Sequence, residues 1–306
     1  MTARWDVLGI GIVAVDDLVY VAHYPIPDSK QPILAKDRQG GGPTATALVA
    51  MARQRLRAAY CTVLGNDELS RFSVEELEKE GVSCAPVIRR PEARPYHSII
   101  VVDRGTGLRT ILYSAEGVTD PWPDEISEEL VASCRLLFVD AYRIEPVLRA
   151  AEIAAKLGIP IVADIDDGAI PGVERLMTLV DHLVVGTALA GQVTGKRDPV
   201  AMTAELARAG RTCTVVTGGA AGCWYAEHGG DVKHFPAYEI TTVDTTGCGD
   251  VFHGVYAAAI VQGTTIETAI QKATAAAALK AMQPGGRKGI PDQAAIDRFL
   301  AERGAR

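Results

Sequence analysis

The sequence predicts an α/β protein with a mostly parallel central sheet and a small separate β-sheet. Three observations predict it. Short apolar runs of strand length alternate with stretches of helical spacing along nearly all of the 306 residues. The first of these runs, residues 7–15, is apolar on both alternating faces, as a strand buried in a parallel sheet is. One region, 97–113, breaks the rhythm with two strand-like segments around the turn Arg104, Gly105, Thr106, Gly107, which is a hairpin signal.

The elements follow in order. The opening strand ends at Asp16 and Asp17, expected at the C-terminal edge of the central sheet, where ligands collect in open α/β folds. Residues 18–36 hold Pro25, Pro27 and Pro32 and read as extended, too irregular for a core helix. Gly40, Gly41 and Gly42 then lead into an alanine-rich helix with Pro43 in its first turn, where proline is tolerated. The small side of that helix permits close packing, and the glycines either turn the chain tightly or admit a ligand's hydroxyls. A strand at 60–64 and a helix at 72–80, closed by Gly81, come next. After the hairpin, strands are expected at 135–139, 159–163, 182–185 and 212–217. Helices are expected at 146–157, 172–179 and 199–209. Segments 223–226 and 232–235 form a second hairpin signal around Gly229 and Gly230. Helices at 265–281 and 292–302 close the chain.

Composition removes several classes of function. Lys and Arg number 31 against 38 Asp and Glu, a net charge of −7, which suits a cytoplasmic protein and argues against a nucleic-acid or anionic-membrane footprint. No apolar run is long enough to span a bilayer, and the N-terminal residues lack signal-peptide order. The six cysteines form no CxxC pair and read as small buried hydrophobes in a reducing compartment. No pair of histidines has helical metal-ligand spacing, so each reads as a surface or packing residue. There is no P-loop, no His-Glu-x-x-His and no Gly-x-Ser-x-Gly elbow. Gly9 and Gly11 lack the third glycine of a dinucleotide fingerprint.

What remains is residues 239–259. A short polar and β-branched run turns through Asp244, Thr245, Thr246, Gly247, Cys248 and Gly249, and Asp250 opens an apolar helix. Glycines before a helix let backbone N–H groups face a ligand, and the helix start adds partial positive charge, which together make an anion hole. A carboxylate there is either a helix cap or a base. A second glycine-rich turn, Thr217 to Gly222, also follows a strand. One loop could hold a nucleotide while the other neutralises its phosphates and Asp250 receives the proton of an attacking hydroxyl.

Asp244 to Asp250 closely resembles the Asp-Thr-x-Gly-Ala-Gly-Asp signature of the ribokinase-like (PfkB) carbohydrate kinases. The likeness extends over Asp16, the Gly41–Gly42 turn, the interposed strands and residues 216–222. It implies a three-layer core with a β-sheet lid. The core would span 1–16, 40–95 and 118–306, and the lid 17–39 and 96–117. Within the family, four features are similar to the sulfofructose kinase branch: the spacing of Lys30 to Gly40, residues 40–47, residues 244–254 and residues 278–292. That likeness implies transfer from ATP, with Mg2+, to the C1 hydroxyl of 6-deoxy-6-sulfofructose. The products would be its 1-phosphate and ADP, in sulfoquinovose degradation.

Carried over by position, the resemblance makes Asp250 the general base and Gly247, Cys248 and Gly249 the anion hole. Thr217, Gly219, Gly222, Thr246 and Gly247 would lie along the nucleotide. Asp16, Gly41, Gly42 and Thr46 would hold the sugar, with Lys30, Arg143 and Tyr113 around its sulfonate. A fixed monoanion is well met by a lysine and an arginine fork. The resemblance also implies K+ near Asp244, Thr246 and Gly289, and a homodimer through the lid. Four departures stand out. Tyr113 replaces an asparagine, Thr46 stands where other members have asparagine, Cys248 replaces alanine, and Gly186, Thr187, Ala188 and Leu189 replace an Asn-x-x-Glu that orders Mg2+-bound water. Tyr113 leaves room for another ketose, a ketosugar acid or a nucleoside as substrate. The lost Asn-x-x-Glu leaves room for a non-catalytic sugar or nucleotide sensor.

Overall fold

The apolar runs become strands buried on both faces. The computed structural model describes residues 3–106, 108–207 and 210–303. The chain begins with β1 (Trp5–Ile10), β2 (Ala14–Val21), β3 (Ala35–Gly41), α1 (Pro43–Arg53), β4 (Ala58–Cys61), β5 (Val63–Leu64) and α2 (Glu68–Lys79). It continues with β6 (Ile88–Arg89), β7 (Tyr96–Asp103), β8 (Arg109–Ser114), α3 (Glu128–Ala132), β9 (Cys134–Asp140), α4 (Ile144–Leu157), β10 (Ile161–Asp164) and α5 (Val173–Leu179). Then come β11 (His182–Gly186), α6 (Thr187–Thr194), α7 (Pro199–Ala207), β12 (Cys213–Thr217), β13 (Cys223–Glu227), β14 (Lys233–Phe235), α8 (Cys248–Val261), α9 (Ile266–Ala281) and α10 (Gln293–Arg303).

The central sheet has the order β14-β13-β12-β11-β10-β9-β1-β4. Pairs from β12 through β4 are parallel, and β13 and β14 add an antiparallel edge. Side chains alternate along each strand, so β9 sends Leu136 and Phe138 into one apolar cluster and Leu137 and Val139 into another. The first cluster lies under α1, α8 and α9, the second under α4 and α5. The result is three layers. Helix α1 packs tightly on α8 because both are small at the contact: a Cβ on Gly254 would come within 2.5 Å of the Ala47 carbonyl oxygen.

A smaller sheet has the order β3-β2-β7-β8, with β2 and β7 parallel and the other pairs antiparallel. The expected hairpin is β7 and β8. Its turn is fastened by the Asp103 carboxylate, which accepts from Gly105 N at 2.7 Å and Thr106 N at 3.1 Å. Gly107 of that turn lies outside the described residues. Ile99, Ile111, Leu112 and Tyr113 leave apolar surface exposed on this sheet.

The main difference from the sequence reading is at the first run. It is two strands in two sheets. β1 stops at Ile10, and the chain crosses at Gly11 into β2, so Asp16 belongs to the small sheet, not to the edge of the central one. A Cβ on Gly11 would strike the Asp140 carboxylate, and that carboxylate accepts from Ile12 N at 2.8 Å. An apolar run gives no sign of such a crossing, because both halves are buried. The strands of the small sheet begin at Ala14 and end at Gly41, beyond the expected limits 17–39 at both ends. Residues 239–243 form no strand. The strand expected at 60–64 is split into β4 and β5, and the sequence reading has no counterpart for helix α6, the short α3 or β6. Helix α2 starts earlier, because Asp67 caps it by accepting from Ser70 N at 2.9 Å. Residues 208 and 209 of the helix expected at 199–209 lie outside the described residues. Among those described, no helix is long and apolar enough to cross a membrane, and all six cysteines are free thiols.

Gly42 tests the turn that joins the two sheets. Its φ of 89° is one that side-chain-bearing residues rarely adopt, and a Cβ there would come 2.6 Å from the Ile12 carbonyl oxygen. Gly42→Ala is expected to lower stability by about 2 kcal/mol or more. The urea midpoint measures it, and a midpoint equal to wild type would show that the turn relaxes without cost.

Candidate active site

Helix α8 begins in the glycine turn. Gly247 has φ 75° and a Cβ there would sit 2.9 Å from the Gly286 carbonyl oxygen, so the position admits only glycine. Gly249 faces open space, which leaves the backbone of the first turn uncovered where the helix end is positive. Asp250 stands in that turn, partly buried. Burial raises its carboxyl to about 6, and Asp166 and Asp16 add to the rise while His253 and Arg287 oppose it. It caps nothing by side-chain hydrogen bond, since Gly247 is the N-cap and no side-chain cap is made there.

Asp16 faces this helix start from β2. Its carboxylate lies against Gly41, where any Cβ would strike it, and burial raises its pKa while Ser98 and Arg287 pull it back. Arg287 is the buried cation of the site. Its Nη2 donates to the Gly41 carbonyl at 2.6 Å and its Nε to Thr46 Oγ1 at 3.2 Å. The loop carrying it is held by Gln39, whose Oε1 accepts from Gly286 N at 2.9 Å and Arg287 N at 3.3 Å. Thr46, found where other members of the resembled family have asparagine, thus serves as the acceptor for an arginine. Asp16, Gly41, Thr46 and Asp250 are gathered around one guanidinium, while Gly42 lies against the backbone of Ile12 to Ala14.

Two further acids lie beneath. Asp140, at the end of β9, accepts from Ile12 N and from Thr44 Oγ1, both at 2.8 Å, and burial raises it to about 6. It closes the gap between β9 and β1, where the strand order reverses, which is where open α/β sheets place ligands. Asp164, at the end of β10, is raised by burial against the pull of His253, with Oδ2 at 3.5 Å from His253 Nδ1.

The residues expected around a sulfonate divide. Arg143, the N-cap of α4, is ion-paired with Asp120 and hydrogen-bonded to Tyr96. The Tyr96 ring packs 6.3 Å from that of Tyr113, so Arg143 and Tyr113 share one end of the small sheet. Tyr113 is 71% exposed. Lys30 lies exposed in the irregular segment between β2 and β3. The second glycine turn follows β12. Thr217 Oγ1 donates to the Val185 carbonyl at 3.3 Å, and Gly218 N donates to the Gly222 carbonyl at 2.7 Å. Gly219 and Gly222 both have positive φ, and a Cβ on Gly222 would strike Phe235 O. Cys248 carries a thiol, raised to about 11 by burial, so the anion hole there is one of backbone only.

Of the residues expected around K+, Asp244 is already engaged by donors. Asp244 Oδ1 accepts from Thr246 N and Oδ2 from Gly285 N, each at 2.8 Å, and its main-chain oxygen accepts from Lys280 Nζ, also at 2.8 Å. Every oxygen of Asp244 already faces a donor, and Lys280, fully buried, brings a positive charge of its own. Among the described residues no group of three or more His, Cys, Asp or Glu is placed to hold a metal ion. The segment in place of Asn-x-x-Glu starts α6 with Leu189 buried and offers no carboxylate.

Arg287, His253, Asp140 and Lys280 were missed as site residues. Arg287 and His253 lie inside motifs that carried the resemblance, but nothing local marks an arginine or a histidine as buried.

A three-layer α/β core, a small sheet joined to it and a carboxylate at a glycine-lined helix start define the class as a small-molecule kinase fold. The chain belongs to the pfkB family of carbohydrate kinases, whose family model matches residues 10–293. It is thus a phosphotransferase that uses ATP and a sugar hydroxyl as acceptor. The bifunctional ribokinase/ribose-5-phosphate isomerase A of Fructilactobacillus sanfranciscensis is 24% identical over 300 residues, 95% of this chain and 55% of that one. The chain therefore spans about half the length of that relative. The 5-dehydro-2-deoxygluconokinase of Listeria monocytogenes strain HCC23 is 21% identical over 320 residues, 98% of this chain and 97% of that one. A crystal structure of an Agrobacterium tumefaciens protein superposes with a TM-score of 0.90 at 28% identity, covering 97% of both chains. The fold of the resemblance is borne out, with its central sheet and smaller second sheet. The comparisons do not single out the sulfofructose branch.

Arg287→Met would leave Asp16 and Asp250 without their nearest guanidinium and break two buried hydrogen bonds. A loss of about 3–5 kcal/mol is expected, read from the urea midpoint. An unchanged midpoint would show that the guanidinium contributes nothing to holding the glycine turn.

Proposed function

We propose that Asp250 is the general base for transfer of the γ-phosphoryl group of ATP to a sugar hydroxyl. The observation that carries this is its carboxylate at the uncovered, positive start of α8, within the electrostatic reach of Asp16 and Arg287. The sugar would be held by Asp16, Gly41, Gly42 and Thr46, with its acceptor hydroxyl toward Asp250. The attacking oxygen bonds to the γ-phosphorus, the bridging oxygen leaves with ADP, and the hydroxyl proton passes to Asp250. Amides of Gly247, Cys248 and Gly249 would meet the charge of the transferring group. Thr217, Gly219 and Gly222 would lie along the nucleotide. Mg2+ would come on the phosphates, since the described residues hold no cluster of acids or histidines placed for it, and it would neutralise charge there. The small sheet would act as a lid that excludes competing water, over the central sheet and its helices. Its exposed apolar face would be covered by a second copy in a homodimer. A sensor without activity is disfavoured by family membership.

For the sugar, we favour the broader reading, a ketose, a ketosugar acid or a nucleoside, because the named relatives are a ribokinase and a 5-dehydro-2-deoxygluconokinase. Lys30 and Arg143 favour 6-deoxy-6-sulfofructose as the second reading, phosphorylated at C1. A panel in a coupled ADP assay decides: ribose, fructose, 5-dehydro-2-deoxygluconate, nucleosides and sulfofructose. A large preference for sulfofructose would reverse the order, and no sugar-dependent ADP release from any would reject the kinase reading.

Asp250→Asn is expected to cut kcat by about 100-fold to 10,000-fold while ATP affinity, read by calorimetry, stays near wild type. Near-normal turnover would remove Asp250 from the chemistry. The base must be ionised, and its carboxyl lies at about 6. Activity should therefore be full well above that pH and fall as pH drops through it. An acid limb near the ordinary aspartate value would contradict this. Turnover and melting temperature should be equal in KCl and choline chloride, given the donors around Asp244. A strong gain specific to K+ would show that the ion enters after all.

A further inference from the structure

His253 lies one turn past Asp250 on α8 and is almost wholly buried. Both of its ring nitrogens face main-chain carbonyl oxygens. Nδ1 is 2.8 Å from the Gly249 oxygen, and Nε2 is 2.9 Å from the Val184 oxygen on β11. A carbonyl oxygen can only accept, and a neutral imidazole has a single N–H. In either neutral tautomer one nitrogen lone pair would point at a carbonyl lone pair, at contact distance and away from water, which is a costly arrangement. Two donors satisfy both carbonyls, and two donors make the ring a cation.

The surroundings can hold that cation. From β10 comes Asp164, with Oδ2 at 3.5 Å from Nδ1. The ring lies edge-on to Phe138 of β9 and Phe252, with centroids 6.4 Å away in each case, so water does not replace these partners. Asp250 shares its helix. Asp166, after β10, Asp140, at the end of β9, and Asp16, on β2, act on the same carboxylates, and Arg287 is the other cation acting on Asp250. The site therefore crowds carboxylates around few positive groups.

We propose that His253 is a permanent imidazolium, fixed by the Gly249 and Val184 carbonyls beneath the first turn of α8, and that its charge keeps Asp250 ionised at working pH. It is a positioning residue: it touches no reacting atom and acts through Asp250. The role rests on the reading of Asp250 as base, whereas the charge state rests on geometry alone. The balance of charges agrees. Burial alone would push the ring's pKa down, yet Asp164, the two carbonyls and Asp250 outweigh it and the net direction is up. For Asp250, His253 is the first influence opposing burial.

Two measurements test this separately. Nitrogen-15 NMR of the wild-type ring should give both His253 nitrogens in the protonated range, each with an attached proton, unchanged between pH 6 and pH 8. A ring with one bare nitrogen at neutral pH overturns the proposal without touching the kinase reading. In His253→Gln, which keeps an amide donor but no charge, the acid limb of kcat/KM should move up by about one pH unit. A merely structural role would lower kcat or the melting temperature and leave the limb in place, and that result would overturn the positioning role. If Asp250→Asn keeps its turnover, the base reading fails while the NMR result still stands or falls by itself. Should His253→Gln not fold, the wild-type NMR still decides the charge state, and His253→Asn, which likewise keeps an amide donor without the charge, carries the limb test with the same upward sign. An unmoved limb there would show that this cluster does not set the base.

Discussion

The site depends on one problem of electrostatics: four carboxylates, Asp140 and Asp164 buried and Asp16 and Asp250 partly so, crowd the start of one helix. Asp16, Asp140, Asp164 and Asp250 are all raised by burial. Burial favours the neutral form of each, and a site of neutral acids has no base. The chain answers with backbone donors for Asp140, with a guanidinium between Asp16 and Asp250, and with a histidine between Asp164 and Asp250. Each answer fixes something else. Arg287 must reach the Gly41 carbonyl, so its loop must be tied to Gln39, and Gly40 and Gly41 must lack side chains because Arg287 and Asp16 occupy that space. The glycines that look like a mere turn are therefore consequences of where the charges sit.

The crossing between sheets is fastened by the same means. Asp140 ends a central strand, yet it bonds Ile12, in the link to the small sheet, and Thr44, in the first turn of α1. One carboxylate thus joins the central sheet, the small sheet and a helix at the point where strand order reverses. At that point the small sheet is tied to the core. The contacts at its far end are weaker: Tyr113 is largely exposed and Arg143 is paired at a partly exposed surface.

Much of the architecture was legible because it is repetitive. Strands such as 213–217 announce themselves by β-branched and apolar runs, and helices by their spacing, as the alanine-rich segment at 265–281 does. The crossing at Gly11 was not legible, since residues 7–15 are apolar or small on both sides of it and hydropathy does not record which sheet a strand joins. In the site, the glycine turn and Asp250 could be found from local spacing. Arg287 and His253 could not, because their roles come from partners at Gly41 and Val184, distant along the chain. Lys280 is the sharpest example: in an amphipathic helix a lysine is normally solvated, and only the packed structure reveals its ammonium on the Asp244 carbonyl.

Why the family is so much plainer than the sugar follows from the same division. The residues proposed to move a phosphoryl group are interlocked with buried partners such as Arg287 and His253, so their sequence pattern is narrow. The residues that would greet the far end of the sugar are exposed, and Arg143 is already neutralised by Asp120. Both partners of that pair are about one-third exposed, and such pairs are worth only about 0–1 kcal/mol. An incoming acid group can therefore take the guanidinium from Asp120 at little cost, while a neutral sugar leaves the pair as it is. Sulfonate and carboxylate would compete for that guanidinium on similar terms, so Arg143 alone does not choose between them. The choice falls to groups that bond one geometry and refuse another, and the phenol of Tyr113, with one donor where an asparagine amide has two, is the residue in this chain that most alters that geometry.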